Sequence, residues 1–262
     1  MIRFVFVLST LLFTSSNNVS AFQPATVSRE KAATKSTTRL YETRTKSWNP
    51  LRFAQQSSKF VKPPFSPPPP KETIRPGQVL WQPTSTTSQK NPFQFAPLDD
   101  VVMGGVSDST IDNASGLWKG TVTDESNGGF VGIRSTPNVD LDLSSCKGLE
   151  WRFQTSANMP GRLKIVLRDT PDFNGIAWST SADIPSKTSK REVRVKVPLN
   201  PKSLVPTRFA QILKGSETEK GIDKTSVTAL QLVYSKFEYE GALNPKFQSG
   251  EFELQLLEVR TY

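Results

Sequence analysis

DDVVMGGVSDS, Asp99 to Ser109, and its echo NGGFVGIRS, Asn127 to Ser135, decide how this chain is read. Each sets a glycine pair, Gly104-Gly105 or Gly128-Gly129, directly against apolar, strand-like residues. Glycine relieves the steric limits on the backbone, so such pairs suit a tight turn or a close approach of two chain segments. Together they mark one end of a folded β domain.

Downstream of Phe93 the text breaks into short alternating runs between turn residues. Leu117 to Val122, Phe130 to Ser135, Leu149 to Gln154, Leu163 to Arg168, Ile176 to Ser179, Glu192 to Val197, Ala229 to Tyr234 and Phe252 to Val259 are predicted strands. Their period is two, and β-branched and aromatic residues are frequent. Val205 to Lys214 is the best short helix, with Pro206 in its first turn. So many strands without intervening helices predict an all-β, antiparallel sandwich of jelly-roll type over 91–262. Its expected core holds Phe130, Trp151, Phe153, Leu163, Val166, Trp178, Leu230, Leu232, Phe252 and Leu254.

Upstream the composition changes. The first 90 residues carry 13 Lys and Arg against three acids, whereas the remaining 172 carry 20 basic and 21 acidic residues. The net charge of +9 therefore belongs to the leader, and the near-neutral domain is not expected to bind nucleic acid stably. Arg191 to Val197 (REVRVKV) reads as the solvated face of a strand. Met1 to Ala21 has the order of a signal peptide: Arg3, an apolar run from Phe4 to Phe13, then a polar stretch ending Val-Ser-Ala. It is too short to span a membrane stably. Residues 22–40 are rich in Ser, Thr, Lys and Arg, as in a transit peptide. The join Ser20 to Pro24 (SAFQP) resembles the cleavage motif of bipartite plastid presequences, which cut before a phenylalanine, here Phe22. Plastid import is the expectation, with the mitochondrion or a secretory route as alternatives. Residues 41–90 read as a disordered linker, stiffened by Lys62 to Lys71 (KPPFSPPPPK). Its aromatics, Trp48, Phe53, Phe60 and Trp81, are free to dock on the domain or on a partner.

The chain has no histidine, which excludes Ser-His-Asp and Cys-His nucleophilic systems, imidazole shuttles and imidazole-bound zinc. One cysteine, Cys146, excludes an internal disulfide and reads as a packing residue. There is no cofactor fingerprint. Asp99, Asp100 and Asp108 admit three chemistries: an acid–base pair, oxygen ligands for Ca²⁺, or acceptors for turn amides around the glycines. Arg134 and Arg168 could take a carboxylate or phosphate bidentately, or pair locally, Arg168 with Asp169 or Asp172. Trp118, Trp151 and Trp178 either fill the core or stack on a sugar. The long connection Ser235 to Phe252 offers Phe237, Tyr239, Leu243 and Phe247, as a contact surface or as a lid folded over the mouth of the sandwich.

These motifs resemble the complex I intermediate-associated protein 30 family. The resemblance rests on Asp99 to Ser109, Gly116 to Val122, Gly128 to Ser135, Asp142 to Phe153, Val195 to Leu199, Val227 to Ser235 and Gly250 to Val259. It implies a galactose-binding-domain-like jelly roll and a non-catalytic role in assembling a multisubunit redox complex. The implied partners are subunits of a photosynthetic or NADH-dehydrogenase-like membrane complex, or fellow assembly factors. Association is expected at the membrane periphery, with no transmembrane helix in the mature chain. The candidate contact residues are Asp100, Met103, Gly104, Gly105, Ser107, Gly128, Gly129, Phe130 and Arg134 in the motifs, and Phe237 and Tyr239 in the loop. A carbohydrate-binding module and an RNA-linked plastid biogenesis factor are the competing readings.

Overall fold

A computed structural model of the chain describes residues 49–61, 65–88, 90–185 and 191–262. The signal peptide, the transit-like segment and Trp48 lie outside the described residues. The strands are β1 Lys71–Thr73, β2 Val79–Trp81, β3 Phe95–Pro97, β4 Asp108–Asp112, β5 Leu117–Val122, β6 Phe130–Ser135, β7 Asp140–Asp142 and β8 Gly148–Gln154. They continue with β9 Arg162–Arg168, β10 Ala177–Asp183, β11 Glu192–Pro198, β12 Val205–Arg208, β13 Gln211–Ile212, β14 Ala229–Ser235 and β15 Gly250–Thr261.

These strands form a two-stranded parallel pair, β1 with β7, and two large sheets. One has seven strands in the order β13-β12-β10-β9-β14-β6-β3, and the other six in the order β11-β8-β15-β5-β4, with β2 also pairing β15. Every ladder in both is antiparallel. The core lies between them, because alternation sends one residue in two inward. Trp118, Trp151, Phe153, Leu163, Leu230, Leu232 and Leu254 are buried there. Edge-to-face contacts knit the layer: Trp118 with Phe252 at 5.0 Å between ring centroids, and Trp81 with Phe95 at 5.4 Å. Cys146 is buried, with its sulfur 3.6 Å from the Ile74 carbonyl oxygen. The outer face of the six-stranded sheet is laced by ion pairs, Arg152 with Glu192 and Glu258, and Arg194 with Glu192.

Three expectations are corrected. Val205 to Lys214 is not a helix but the strands β12 and β13. Its helical stripe of Val205, Phe209 and Ile212 has no core to face, and the open edge of β10 pairs with Val205 to Thr207 instead. Phe130 is half-buried on the outer side of its sheet, and Val166, though buried, packs outside the central cluster. Within the stretch expected to be a disordered linker, the described residues 49–61 and 65–88 include a helix and two strands. Helix α1, Pro50–Ser58, starts at an Asn49 N-cap whose side chain accepts from the backbone N–H groups of Leu51 and Arg52, with proline in the first turn. Further along, β1 pairs with β7, and Ile74, Leu80 and Trp81 join the core.

Candidate functional site

The two glycine pairs converge on one carboxylate. Asp100 opens a single 3₁₀ turn, Asp100–Met103, which Gly104 closes in the left-handed region at φ 94°. Its buried carboxylate accepts from the Ser107 N–H at 2.9 Å, the Ser107 hydroxyl at 2.5 Å and the Gly129 N–H at 2.8 Å. The glycines make room for it. A Cβ on Gly105 would land on Cγ and Oδ1 of Asp100, and one on Gly128 would sit 2.6 Å from Oδ2. Asp100 thus staples the first glycine pair to the second.

Asp99 does the same toward the N-terminal helix. Its carboxylate accepts from the Ser109 N–H at 2.9 Å, the Ser109 hydroxyl at 2.5 Å, the Gln56 amide at 2.9 Å and the Arg52 guanidinium at 2.8 Å. In return the Asp99 N–H donates to Gln56 Oε1 at 2.9 Å. Burial pushes its carboxyl up to about 6, against the lowering pull of Ser109, Gln56 and Arg52. Asp108 points outward and pairs with the same Arg52 at 2.5 Å. The oxygens of Asp99 and Asp100 therefore accept turn amides, hydroxyls and one guanidinium. Lone pairs filled by N–H and O–H donors are not presented to a cation, and both side chains are closed to solvent. Among the described residues no group of three His, Cys, Asp or Glu side chains converges as a metal cage.

The three tryptophans are core residues. Trp118, Trp151 and Trp178 are all buried, and Trp178 donates its indole N–H to Asp169 at 2.8 Å. Burying roughly 200 Å² of indole stabilises by about 5 kcal/mol, which exposure for sugar stacking would forfeit. Asp169 accepts from Trp178 and from the Asp223 N–H rather than pairing with Arg168. Arg168 donates instead to the Gly175 carbonyl at 3.0 Å. Arg134 is buried on the outer face of the seven-stranded sheet, with its guanidinium over the rings of Phe60 and Phe173.

The connection after β14 is part lid, part display. Tyr234 and Phe247 stack at 5.2 Å, and the Tyr234 hydroxyl both donates to the Gln248 carbonyl and accepts from its N–H. This folds the root of the connection onto the core. Its tip is a small hairpin in which Phe237 bridges Leu243, 42% and 64% exposed. Tyr239 is half-buried under Lys164, whose ammonium lies 5.1 Å from the ring centroid. The tip touches a second one. The Glu240 N–H donates to the Ala210 carbonyl, and the Ile212 N–H to the Glu240 carboxylate at 2.6 Å. Phe209, at the head of the β12–β13 hairpin, is 69% exposed with φ 50°, and Ala210 follows with φ 62°. Non-glycine residues avoid that region, so the turn holds an aromatic ring toward solvent at a cost. Met103 is exposed on the Asp100 turn.

Sequence reasoning missed Arg52, Gln56, Phe173 and Phe209 as site residues, and named Phe60 only as an aromatic that could dock on the domain, where it packs with Ala96 and Leu98. Asn49-Pro50, a helix N-cap followed by proline, was the available signal for the first two. Phe209 was hidden by the helical reading of its segment.

The profile of the complex I intermediate-associated protein 30 family matches residues 84–256. No curated protein matches the chain. Among solved structures, a family 11 carbohydrate-binding module from Clostridium thermocellum, in complex with a β-1,3-1,4-mixed-linked tetrasaccharide, is similar at 14% identity and a TM-score of 0.41. The match covers 66% of this chain and 90% of that one. The family 11 module of the cellulase Lic26A-Cel5E of the same organism is similar at 15% identity and a TM-score of 0.42, over 72% of this chain and 96% of that one. An agarase is similar at 10% identity and a TM-score of 0.42, over 72% of this chain but 25% of its own.

Proposed function

The chain belongs to the complex I intermediate-associated protein 30 family, and from that premise we propose that it is a non-catalytic assembly factor of a plastid membrane redox complex. The observation that carries this reading is the family match over residues 84–256, which takes in both glycine pairs, the seven-stranded sheet and all of the six-stranded one but β2 and the end of β15. The client is a photosynthetic or NADH-dehydrogenase-like subunit, held until its neighbours arrive. The leader, with its expected cut before Phe22, delivers the chain to the plastid. Turnover is not part of the role: Asp99 and Asp100 are spent on the hydrogen bonds that close the turn, and Asp108 pairs with Arg52.

The client docks at the paired tips. Phe209, Phe237 and Leu243 are large apolar side chains at the heads of two hairpins tied together through Glu240. Exposed aromatic and aliphatic groups on a rigid sheet frame suit recognition of another protein's apolar surface before that surface is buried in a complex. Among the described residues no helix is long and apolar enough to cross a membrane.

The test is to tag the chain at its C-terminus and recover it from intact plastids in mild detergent, beside a Phe209→Ala, Phe237→Ala, Leu243→Ala triple variant. The expected result is co-purification of subunits from one redox complex, migrating as a subassembly smaller than the finished complex, and its loss in the triple variant. Recovery of no such subunit, or equal recovery by the variant, refutes the client reading or its docking end respectively.

A further inference from the structure

We infer that the outer face of the seven-stranded sheet carries an oxyanion site, in which Arg134 and Arg168 bind a carboxylate or a phosphate between the phenyl rings of Phe60 and Phe173. This stands apart from the client reading and uses other residues than the hairpin tips, although the Phe237 connection lies on the outer face of the same sheet, over Arg162 and Lys164.

Arg134 lies on β6 opposite Gln231 of β14 and Ala96 of β3, and is only 5% exposed. Its Nη1 is buried with no hydrogen-bond partner among the described residues, and no ion pair to Arg134 is formed there. Its guanidinium carbon is 5.7 Å from the ring centroid of Phe60 and 5.4 Å from that of Phe173. Ring faces attract a cation through their quadrupole but cancel none of its charge. Arg168, on β9, is the neighbouring charge, and it too carries a buried, unpartnered N–H, at Nε. Burial first, then Arg168, pushes Arg134 down to about 9, and no acid acts in the opposite sense. Asp169 and Asp172 act on Arg168 alone.

Arg134 is the charge taken out of water with an idle donor and no opposing charge, an arrangement a protein does not hold cheaply, whereas the half-buried Arg168 beside it has Asp169 and Asp172 and brings a second idle donor. A guanidinium presents its donors in a planar fork matched to two oxygens of a carboxylate or phosphate. The aromatic and aliphatic surround, Phe60, Phe173, Ala96, Leu98 and Val102, excludes water and strengthens any such bond. Of the two ring walls, Phe60 belongs to the N-terminal strap and Phe173 to the connection between β9 and β10.

The experiment is calorimetric titration and thermal unfolding of the full chain with inorganic phosphate and, separately, acetate, each against sodium chloride at equal ionic strength. Wild type is expected to show saturable binding of at least one anion. It should also show a midpoint rise of about 3 to 5 °C at ten times the dissociation constant, above the chloride arm. Phosphate alone binding assigns the site to a phosphoryl ligand, and acetate binding assigns it to a carboxylate. Arg134→Leu should abolish the rise while being no less stable than wild type in chloride, because it removes an unpaired buried charge. Arg134→Lys keeps the charge and loses the fork, and should bind at least about fivefold more weakly. Absence of any anion-specific rise in wild type overturns the site, as does a response of Arg134→Lys equal to wild type.

Discussion

Alanine at Gly105 should be costliest while the Asp100 carboxylate is present. The carboxylate of Asp100 accepts two backbone N–H groups, of Ser107 at 2.9 Å and Gly129 at 2.8 Å, and the Ser107 hydroxyl at 2.5 Å. Asp100→Ala leaves both N–H groups buried and unpaired, while the hydroxyl keeps the Thr123 carbonyl. At about 1 to 3 kcal/mol for each orphaned donor, the loss is about 4 kcal/mol. Gly105 has no left-handed φ, so alanine there meets no backbone conflict. It meets the Asp100 side chain itself, which must leave its acceptor position, so Gly105→Ala should cost about 3 to 4 kcal/mol. In the double variant there is no carboxylate to displace. The Cβ kept at residue 100 still lies 2.8 Å from the new one, so the double variant should lose about 1 kcal/mol more than Asp100→Ala alone, giving a coupling of about 2 to 3 kcal/mol. Urea denaturation of the four proteins measures the cycle, and each single variant should also melt about 8 to 16 °C lower. Losses that add to within about 0.5 kcal/mol would refute the staple.

Two further outcomes follow from the same geometry. A two-residue hairpin turn with positive φ at both positions favours Asn-Gly, so Phe209→Asn with Ala210→Gly should stabilise the domain by about 1 to 2 kcal/mol, read by urea denaturation, while weakening client recovery in the plastid pull-down. Asp99, raised from 3.8 to about 6, binds more protons folded than unfolded between those values, so its contribution to stability is full below about pH 4 and is lost as pH rises through 6. Relative to wild type, Asp99→Asn should therefore gain up to about 3 kcal/mol between pH 4 and 7 in denaturant titrations, and a pH-independent difference would show that the Ser109 and Gln56 donors hold the carboxylate ionised in acid.

Alternation was enough to find the long strands, because β8, β9 and β14 each send every second residue into the intersheet layer. It could not find β1, β2, β3 and β7, which are three residues long and show less than two full periods. The helix expected at Val205 had a sound local pattern but no apolar partner, and an unpaired strand edge took the segment. At the candidate site the glycine pairs were legible as a place of close approach. What approached them was not, since the distance between Asp100 and Gly129 is closed by a turn and two strands rather than by spacing in the chain. Arg134 was legible as a bidentate donor, but its burial under Phe60 depended on a strap hidden in proline-rich text.

That strap changes where the functional unit begins. The family match starts at residue 84, yet Ile74, Leu80 and Trp81 lie in the core ahead of it, and the Trp81 indole donates to Asn113 at 3.3 Å. Ahead of these, Arg52 and Gln56 supply two of the donors on Asp99, and Phe60 covers Arg134. A chain cut at residue 84 would lose a β15 pairing and expose Phe95 and Trp151, whose rings meet at 6.1 Å beneath Trp81. A cut before Phe22, or anywhere up to residue 48, leaves every one of these contacts in place. These contacts set a physical limit on maturation: leader removal past Phe60 would leave Asp99 buried without its guanidinium and Arg134 with one of its two rings.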